Sequence, residues 1–272
     1  MLVSNIENAT HTLSHIHYYR LEAYWLPYET SRTPHQFRAG TTFEQVVNSY
    51  HFDRKLRLHL FEAIEEIESS FRSNWAHQMA LLHGPHSHLN SEIIKVRKEW
   101  MQNIQSLISE TERSKEDFIL HFKENYTELL PPVWAVCEIM SLGLLSRWYA
   151  SLQPMKTRKA ISNAYKLDES LLESWMHHVS IVRNYCAHHS RIWNRELTFT
   201  AAQPKAIANP LTSIWIKSRK IYDTLLIITY FMNIIIPANT WKTDLIALIS
   251  MHSIDTAQMG FPSNWKSLSF WQ

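Results

Sequence analysis

The feature that most constrains the fold is a stripe of large apolar side chains in the first third of the chain. Between residues 56 and 75 they recur at steps of three and four, the spacing of one face of an α-helix. Thr42 and Gln45 have the spacing of a capping box, and Gly84-Pro85 would end a helix. The pattern predicts one long helix from about residue 42 to about residue 84. The stripe consists of Leu56, Leu60, Ile64, Ile67, Phe71 and Trp75.

Periodic segments predict helices through most of the remaining chain. They run from Ser91 to about Glu112, from just after Ser114, from Pro131-Pro132 through Trp148, from Asp168 through Val182, and from about Pro210 to Ile236. The chain has only four glycines, so the glycine-rich phosphate loops of Rossmann enzymes and P-loop NTPases cannot be built. Few glycines and long periodic segments together indicate an all-α protein.

Composition and length support one well-packed unit. The chain has 272 residues and is 45% hydrophobic, which is long enough for a large core and too apolar for a disordered protein. We find no internal repeat, low-complexity tract or linker. We therefore predict a single domain over residues 1–272, with a less regular N-terminal extension (1–40), a helical core (41–252) and a C-terminal tail (253–272).

The expected compartment is the cytoplasm. Cys137 and Cys186 lie far apart with no CxxC motif, which suits a reducing environment. The first residues show no secretion signal, and the most apolar stretch, residues 225–236, is shorter than the ~20 residues a bilayer requires. We expect no membrane association. The formal net charge is only +2, so contacts with nucleic acid would have to come from local patches.

Two clusters of ionisable residues suggest a metal at first sight. His77, His83, His86 and His88 lie close together, but Gly84-Pro85 interrupts them and their spacing matches no zinc pattern. The glutamates of "EAIEEIE" (62–68) resemble a magnesium or acid–base site. A solvated helix end and a solvated helix face are the favoured interpretations. We predict no metal site and no cofactor.

The stretch "VRNYCAHHSRIWNREL" (182–197) concentrates polar chemistry directly after a helical pattern. Arg183 is permanently charged and can grip a phosphate with two hydrogen bonds, and His188 can move protons near neutral pH. Asn184 can orient either group. These are the parts for cutting RNA without a metal: a base for the 2′-hydroxyl, a cation for the phosphorane and an acid for the 5′-oxygen. An ordinary helix end, whose cations complement the helix dipole, explains the same residues equally well.

Helix geometry complicates the nuclease interpretation. Residues five apart are turned by about 140° from each other, so Arg183 and His188 do not share a face, whereas Asn184 and His188 do. Three arrangements remain open. The helix loosens near Ala187, the long Arg183 side chain reaches round, or two chains pool their residues across a two-fold axis beside Cys186 and Ala187.

Further cations near this stretch and near the start of the long helix are candidates for RNA contacts. Asp53 partly offsets the basic residues at the helix start, so a salt-bridged surface is as good an explanation there as a phosphate site. A helix continuing past residue 189 would carry two more arginines within two turns. The candidate RNA-binding residues are His189, Arg191, Arg195, Arg54 and Arg57.

The chain resembles the Abi-like family of bacterial abortive-infection proteins, the AbiD/AbiF group within the HEPN superfamily. The likeness runs in order through "HYYRLEAYWLPYE" (17–29), residues 37–73, "PPVWAVCEIMSLGLLSRWY" (131–149) and residues 172–197. "RNYCAH" fits the superfamily signature R-x(4–6)-H in its R-N-x-x-x-H form, and the flanking "HSRIWNREL" adds specificity. The resemblance implies an α-helical HEPN-type bundle with additional helices.

The same resemblance implies a function. Arg183 and His188 would take the signature positions of a metal-independent endoribonuclease, with Asn184 at the polar position after the arginine. His189 also falls within the spacing that the signature allows. The expected role is abortive infection or toxin–antitoxin phage defence, with RNA as substrate, a homodimer as the working form and an antitoxin as partner. The alternative is an RNA-binding HEPN protein with little or no nuclease activity, held in a complex with a non-coding RNA.

Overall fold

Eleven α-helices and one small β-hairpin make up the fold of the described residues, 1–205 and 210–272, in a computed structural model. The predicted mostly helical class is confirmed. The helices are α1 (Ile6–His15), α2 (Tyr18–Trp25), α3 (Phe43–His83), α4 (Arg97–Arg113), α5 (Asp117–Asn125), α6 (Val133–Ile139), α7 (Leu142–Ser151), α8 (Met155–Asn163), α9 (Glu169–Ala187), α10 (Tyr222–Ile235) and α11 (Trp241–Met251). The antiparallel hairpin pairs β1 (Glu29–Arg32) with β2 (His35–Phe37).

Helix α3 is the spine of the molecule. It has 41 residues, a length of about 60 Å at 1.5 Å per residue. The Thr42 hydroxyl accepts the Gln45 N–H at 3.2 Å and the Gln45 side chain accepts the Thr42 N–H at 3.0 Å, so the predicted capping box is confirmed. Gly84 follows the last turn with φ 87°, as expected for a glycine helix stop. Every residue of the predicted stripe is buried, and helices α2, α6, α8, α9, α10 and α11 pack around α3.

Two predicted helices are shorter than expected. The stripe beginning at Pro131-Pro132 is divided between α6 and α7, because the backbone becomes extended at Met140. Ser141 then caps α7 by accepting the Leu144 N–H at 3.2 Å. Residues 91–93 form a 3₁₀ turn, and α4 begins only at Arg97.

The last predicted helix starts later than the sequence suggested. Helix α10 begins at Tyr222, and residues 215–221 form an irregular strap in front of it. The Asp223 carboxylate accepts the N–H groups of Ile216 at 3.2 Å and Ser218 at 2.8 Å, which folds the strap back onto the start of α10. Burial raises the pKa of Asp223 to about 6, opposed by these two hydrogen bonds. The prediction of a helix from Pro210 was therefore wrong.

Both terminal segments contribute buried side chains to the packed structure. The N-terminal extension contains α1, α2 and the hairpin, and α2 buries Leu21 and Tyr24 completely or nearly so against α3. The C-terminal tail buries Phe261 and Trp271 against Tyr222 of α10, with ring centroids at 4.8 and 6.1 Å. Large aromatic rings gain most from such burial, so the tail belongs to the hydrophobic core.

The sequence predicted a solvated helix end for the histidine cluster at the end of α3. The structure instead buries part of this cluster. His83 Nε2 lies 2.7 Å from the Thr157 hydroxyl, and His88 is fully buried. Burial lowers the pKa of His88 to about 4, with a smaller effect from His86. Among the described residues, no group of three or more His, Cys, Asp or Glu is placed to hold a metal ion. None of the helices described in the structure combines the length and hydropathy needed to cross a membrane.

Candidate functional site

The signature stretch forms a tight turn at the end of α9. The last helical residue is Ala187, and His189 adopts a left-handed backbone with φ 54°. The His189 N–H donates to Cys186 O at 3.1 Å and the Ser190 N–H to Tyr185 O at 2.9 Å, the two bonds of a Schellman motif. A side chain in this conformation carries strain that glycine would avoid. Because the helix stops here, Arg191 and Arg195 do not lie on a continuation of it.

A buried carboxylate anchors this turn to the core. Asp53 on α3 is completely buried, and its Oδ1 accepts the N–H groups of Ile192 at 2.9 Å and Trp193 at 2.6 Å. Its Oδ2 accepts the Tyr24 hydroxyl of α2 and pairs with the Arg57 guanidinium. One carboxylate therefore joins α2, α3 and the loop that follows α9.

Helix α2 holds the turn from the other side. Arg20 Nη2 donates to the His189 carbonyl at 2.8 Å, and the Tyr24 ring stacks on Trp193 at 6.2 Å between centroids. Arg20 and Asp53 were not predicted to position this site. Their partners lie far away in sequence, so no spacing rule could have indicated them.

Arg57 is buried, whereas an arginine that contacts RNA has to reach the surface. It is 5% exposed, and although burial disfavours its cation, the Asp53 carboxylate raises its pKa. Its role is to balance the buried charge of Asp53. Arg54 is exposed on the same helix, and within the described residues no hydrogen bond or ion pair holds its guanidinium. Cys186 is buried near Arg57, and burial raises its pKa to about 12, so it faces the protein interior and not a neighbouring chain.

Arg183 faces α3 across a cleft. Its Nε lies 3.7 Å from Glu68 Oε2, and its guanidinium carbon lies 5.9 Å from the centre of the Phe61 ring. Glu68 also pairs with Arg72. The cleft has a volume of about 260 Å³ and is further lined by Glu138. A phosphate that binds Arg183 must compete with Glu68 for it.

Asn184 and His188 lie together on the outside of the molecule. Both are exposed, and the Asn184 carbonyl accepts the His188 N–H at 3.0 Å. Within the described residues no hydrogen bond or ion pair joins His188 to Arg183. A single chain therefore presents the histidine to solvent and the arginine to the cleft. His189 is also exposed.

The two arginines of the following loop differ in their surroundings. Arg191 Nη1 donates to the carbonyls of Trp193 at 2.9 Å and Asn194 at 2.8 Å, and burial lowers its pKa. It stabilises its own loop. Arg195 stacks on Tyr185 of the last turn of α9, with 4.2 Å between the guanidinium carbon and the ring centre. Its charge therefore lies beside the tight turn at the end of α9, the histidine turn (residues 187–190).

Comparison with known proteins gives the family of the chain. The sequence matches the family of Abi-like proteins (Abi_2) over residues 11–194, which is more than half of the chain. The chain belongs to the Abi-like family. The matched region contains α2, the Asp53 anchor and the whole turn at the end of α9. Among curated proteins and solved structures, none shows significant similarity to this Abi-like chain.

The Asp53 anchor generates a stability prediction. Replacement of Asp53 with Asn leaves the buried Arg57 without a counter-charge, and breaking a buried ion pair costs about 3–5 kcal/mol. Urea unfolding of Asp53→Asn should show this loss, and hydrogen exchange should accelerate at the Ile192 and Trp193 amides. Asp117→Asn, at the exposed start of α5, is the matched control and should cost less than about 1 kcal/mol. Equal stability of the two variants would contradict the anchor.

Proposed function

We propose that this Abi-like protein is a metal-independent endoribonuclease of the HEPN type. The observation that supports it best is the exposed His188, on a turn fixed by Arg20 and Asp53 one helical turn from Asn184. A rigid turn that presents a proton-transferring ring to solvent suits acid–base chemistry. The sequence signature supplies Arg183 as the cation.

The roles follow from the chemistry of RNA cleavage. His188 takes the proton from a 2′-hydroxyl, and the 2′-oxygen attacks the adjacent phosphorus. Arg183 stabilises the charge of the phosphorane, and Asn184 orients His188. The bond from phosphorus to the 5′-oxygen breaks, and an acid returns a proton to that oxygen. A neighbouring hydroxyl is the nucleophile, so no metal-bound water is needed.

We propose a homodimer as the working form. In one chain Arg183 points to the α3 cleft while His188 faces solvent, so a second copy would complete the site. Phe61 of α3 lies beside Arg183 and is 37% exposed, and Leu58, one helical turn before it, is 58% exposed. Exposed apolar residues next to an incomplete site suit an interface between copies.

The second candidate is an RNA-binding protein with little nuclease activity. The ion pair between Arg183 and Glu68 favours it, because a carboxylate beside the arginine opposes the approach of a reacting phosphate. In this form the protein would hold a non-coding RNA. Either form fits a role in phage defence or in a toxin–antitoxin pair with a neutralising antitoxin, which we propose from family membership.

Catalysis should depend on His188. General acid–base catalysis contributes about 10²–10⁴ in rate, so His188→Ala should lose at least that factor in cleavage of mixed RNA while retaining RNA binding. His189→Gly should lose less, because glycine relieves the left-handed backbone and removes only the neighbouring ring. Exposed His77, on α3, provides the control His77→Ala, which should cut normally.

Single-turnover cleavage and binding of the same RNA separate the outcomes. Wild-type cleavage by His188→Ala would remove the nuclease assignment. A greater loss in His189→Gly than in His188→Ala would transfer the catalytic role by one residue. Binding without cleavage by the wild-type protein would favour the second candidate.

The shared site is tested by complementation. Inactive Arg183→Ala chains mixed with inactive His188→Ala chains should regain roughly a quarter of wild-type cleavage, because random exchange makes half of the dimers mixed and each restores one of two sites. The control mixes His188→Ala with the double variant Arg183→Ala/His188→Ala, which cannot restore a site. A first mixture as inactive as this control would contradict a site shared between chains.

A further inference from the structure

Two loops bring a group of cations together beyond the histidine turn. The loop after α9 (residues 188–197) is joined to the strap (residues 215–221) by the Leu197 N–H, which donates to the Arg219 carbonyl at 2.7 Å. The strap lies outside the region matched by the family, so the resemblance assigns it no role. The cations of this surface are Arg195, Lys217, Arg219 and Lys220.

Three of these side chains are held by neutral groups, and the fourth, Lys217, is exposed. Arg219 Nε and Nη2 both donate to the Leu197 carbonyl at 3.3 Å, and Lys220 Nζ donates to Asn194 Oδ1 at 2.6 Å. Arg195 rests on the Tyr185 ring. Amide and aromatic partners fix the position of a cation without neutralising its charge.

Carboxylates do not cancel this charge. Within the described residues none of the four cations forms a salt bridge, whereas Arg57, Arg72 and Arg183 all do. Glu196 is the acidic side chain in this loop pair that acts on Lys220. Asp223 is a second carboxylate at the strap; it is buried and accepts the N–H groups of Ile216 and Ser218. Four cations against these two acids leave a local positive potential on a protein whose net charge is only +2.

The position of this surface indicates its ligand. Tyr185, under Arg195, belongs to the last turn of α9, and its carbonyl accepts the Ser190 N–H at 2.9 Å in the histidine turn. Arg195 therefore lies next to the candidate reaction centre, and Arg219 and Lys220 continue the positive surface through their hydrogen bonds to Leu197 and Asn194. We propose that Arg195, Lys217, Arg219 and Lys220 form a track that binds successive backbone phosphates of RNA and leads the strand to His188. This proposal rests on the proposed function and adds a binding surface to it.

Phosphate contacts give the track a measurable property. They position a strand without reading its bases, so binding should depend weakly on sequence and strongly on salt. Each phosphate neutralised on single-stranded RNA contributes a slope of about 0.7 to the fall of log K with log salt. Loss of two cations should therefore lower that slope by about 1.4.

The experiment compares two pairs of substitutions in the His188→Ala protein, which we expect to bind RNA without cutting it. Lys217→Gln/Arg219→Gln removes two exposed cations of the track and leaves an amide that can still donate to Leu197 O. Arg97→Gln/Lys98→Gln is the matched control at the exposed start of α4. Lys95, just before α4, lies 3.9 Å from Glu173 near the start of α9, about 20 Å along that helix from the histidine turn.

Binding of an unstructured single-stranded RNA oligonucleotide is measured over a range of KCl concentrations. The track pair should lower the salt slope by about 1.4 and weaken binding at every salt concentration below the physiological value. The control pair should retain the slope of the His188→Ala protein. Circular dichroism of both pairs checks that the fold is unchanged.

Each result that would contradict the proposal can be told apart from the others. A track pair with the slope of the control would overturn the track and leave the nuclease proposal standing. An absence of RNA binding by the His188→Ala protein and by wild type would overturn both. Polyglutamate that binds as tightly as the oligonucleotide, and loses affinity equally in the track pair, would also overturn the track, because it would indicate an acidic protein partner.

Discussion

The buried carboxylate of Asp53 is the interaction on which the candidate site depends. An ionised group in a protein interior is costly unless every oxygen is paired. Asp53 meets this condition only when Tyr24, Arg57 and the amides of Ile192 and Trp193 all converge on it. The core of the Abi-like chain and the loop after α9 therefore fold as one arrangement, and the histidine turn is held at a fixed place on the surface.

A second constraint lies at the other end of the signature. Arg183 is separated from His188 by the geometry of α9 and is paired with Glu68. The separation of Arg183 from His188 suits a site that is completed by a second copy. The pair with Glu68 suits a site that is inactive until a phosphate or a partner competes for Arg183. Within one chain, Arg183 and His188 are therefore held apart, which is why the proposed reaction centre calls for a second copy.

Much of the fold could be predicted from sequence because its signals are local. The apolar stripe, the Thr42 cap and the Gly84 stop all act within a few residues, and they predicted α3 correctly. The break after Met140 and the late start of α10 depend on contacts that no periodicity reports. The signature gave the identity of the candidate residues, but not what Arg183 faces or why Arg57 is buried, since those depend on partners distant in sequence.

The most direct test of metal-independent RNA cleavage is the chemistry of the product ends. Attack by a 2′-hydroxyl produces 2′,3′-cyclic phosphates and 5′-hydroxyls, and it needs no metal-activated water. Mixed RNA treated with the protein in excess EDTA should carry these ends, while DNA of the same sequence stays intact. Products with 5′-phosphates that form only with magnesium would contradict the account and indicate a metal-dependent nuclease.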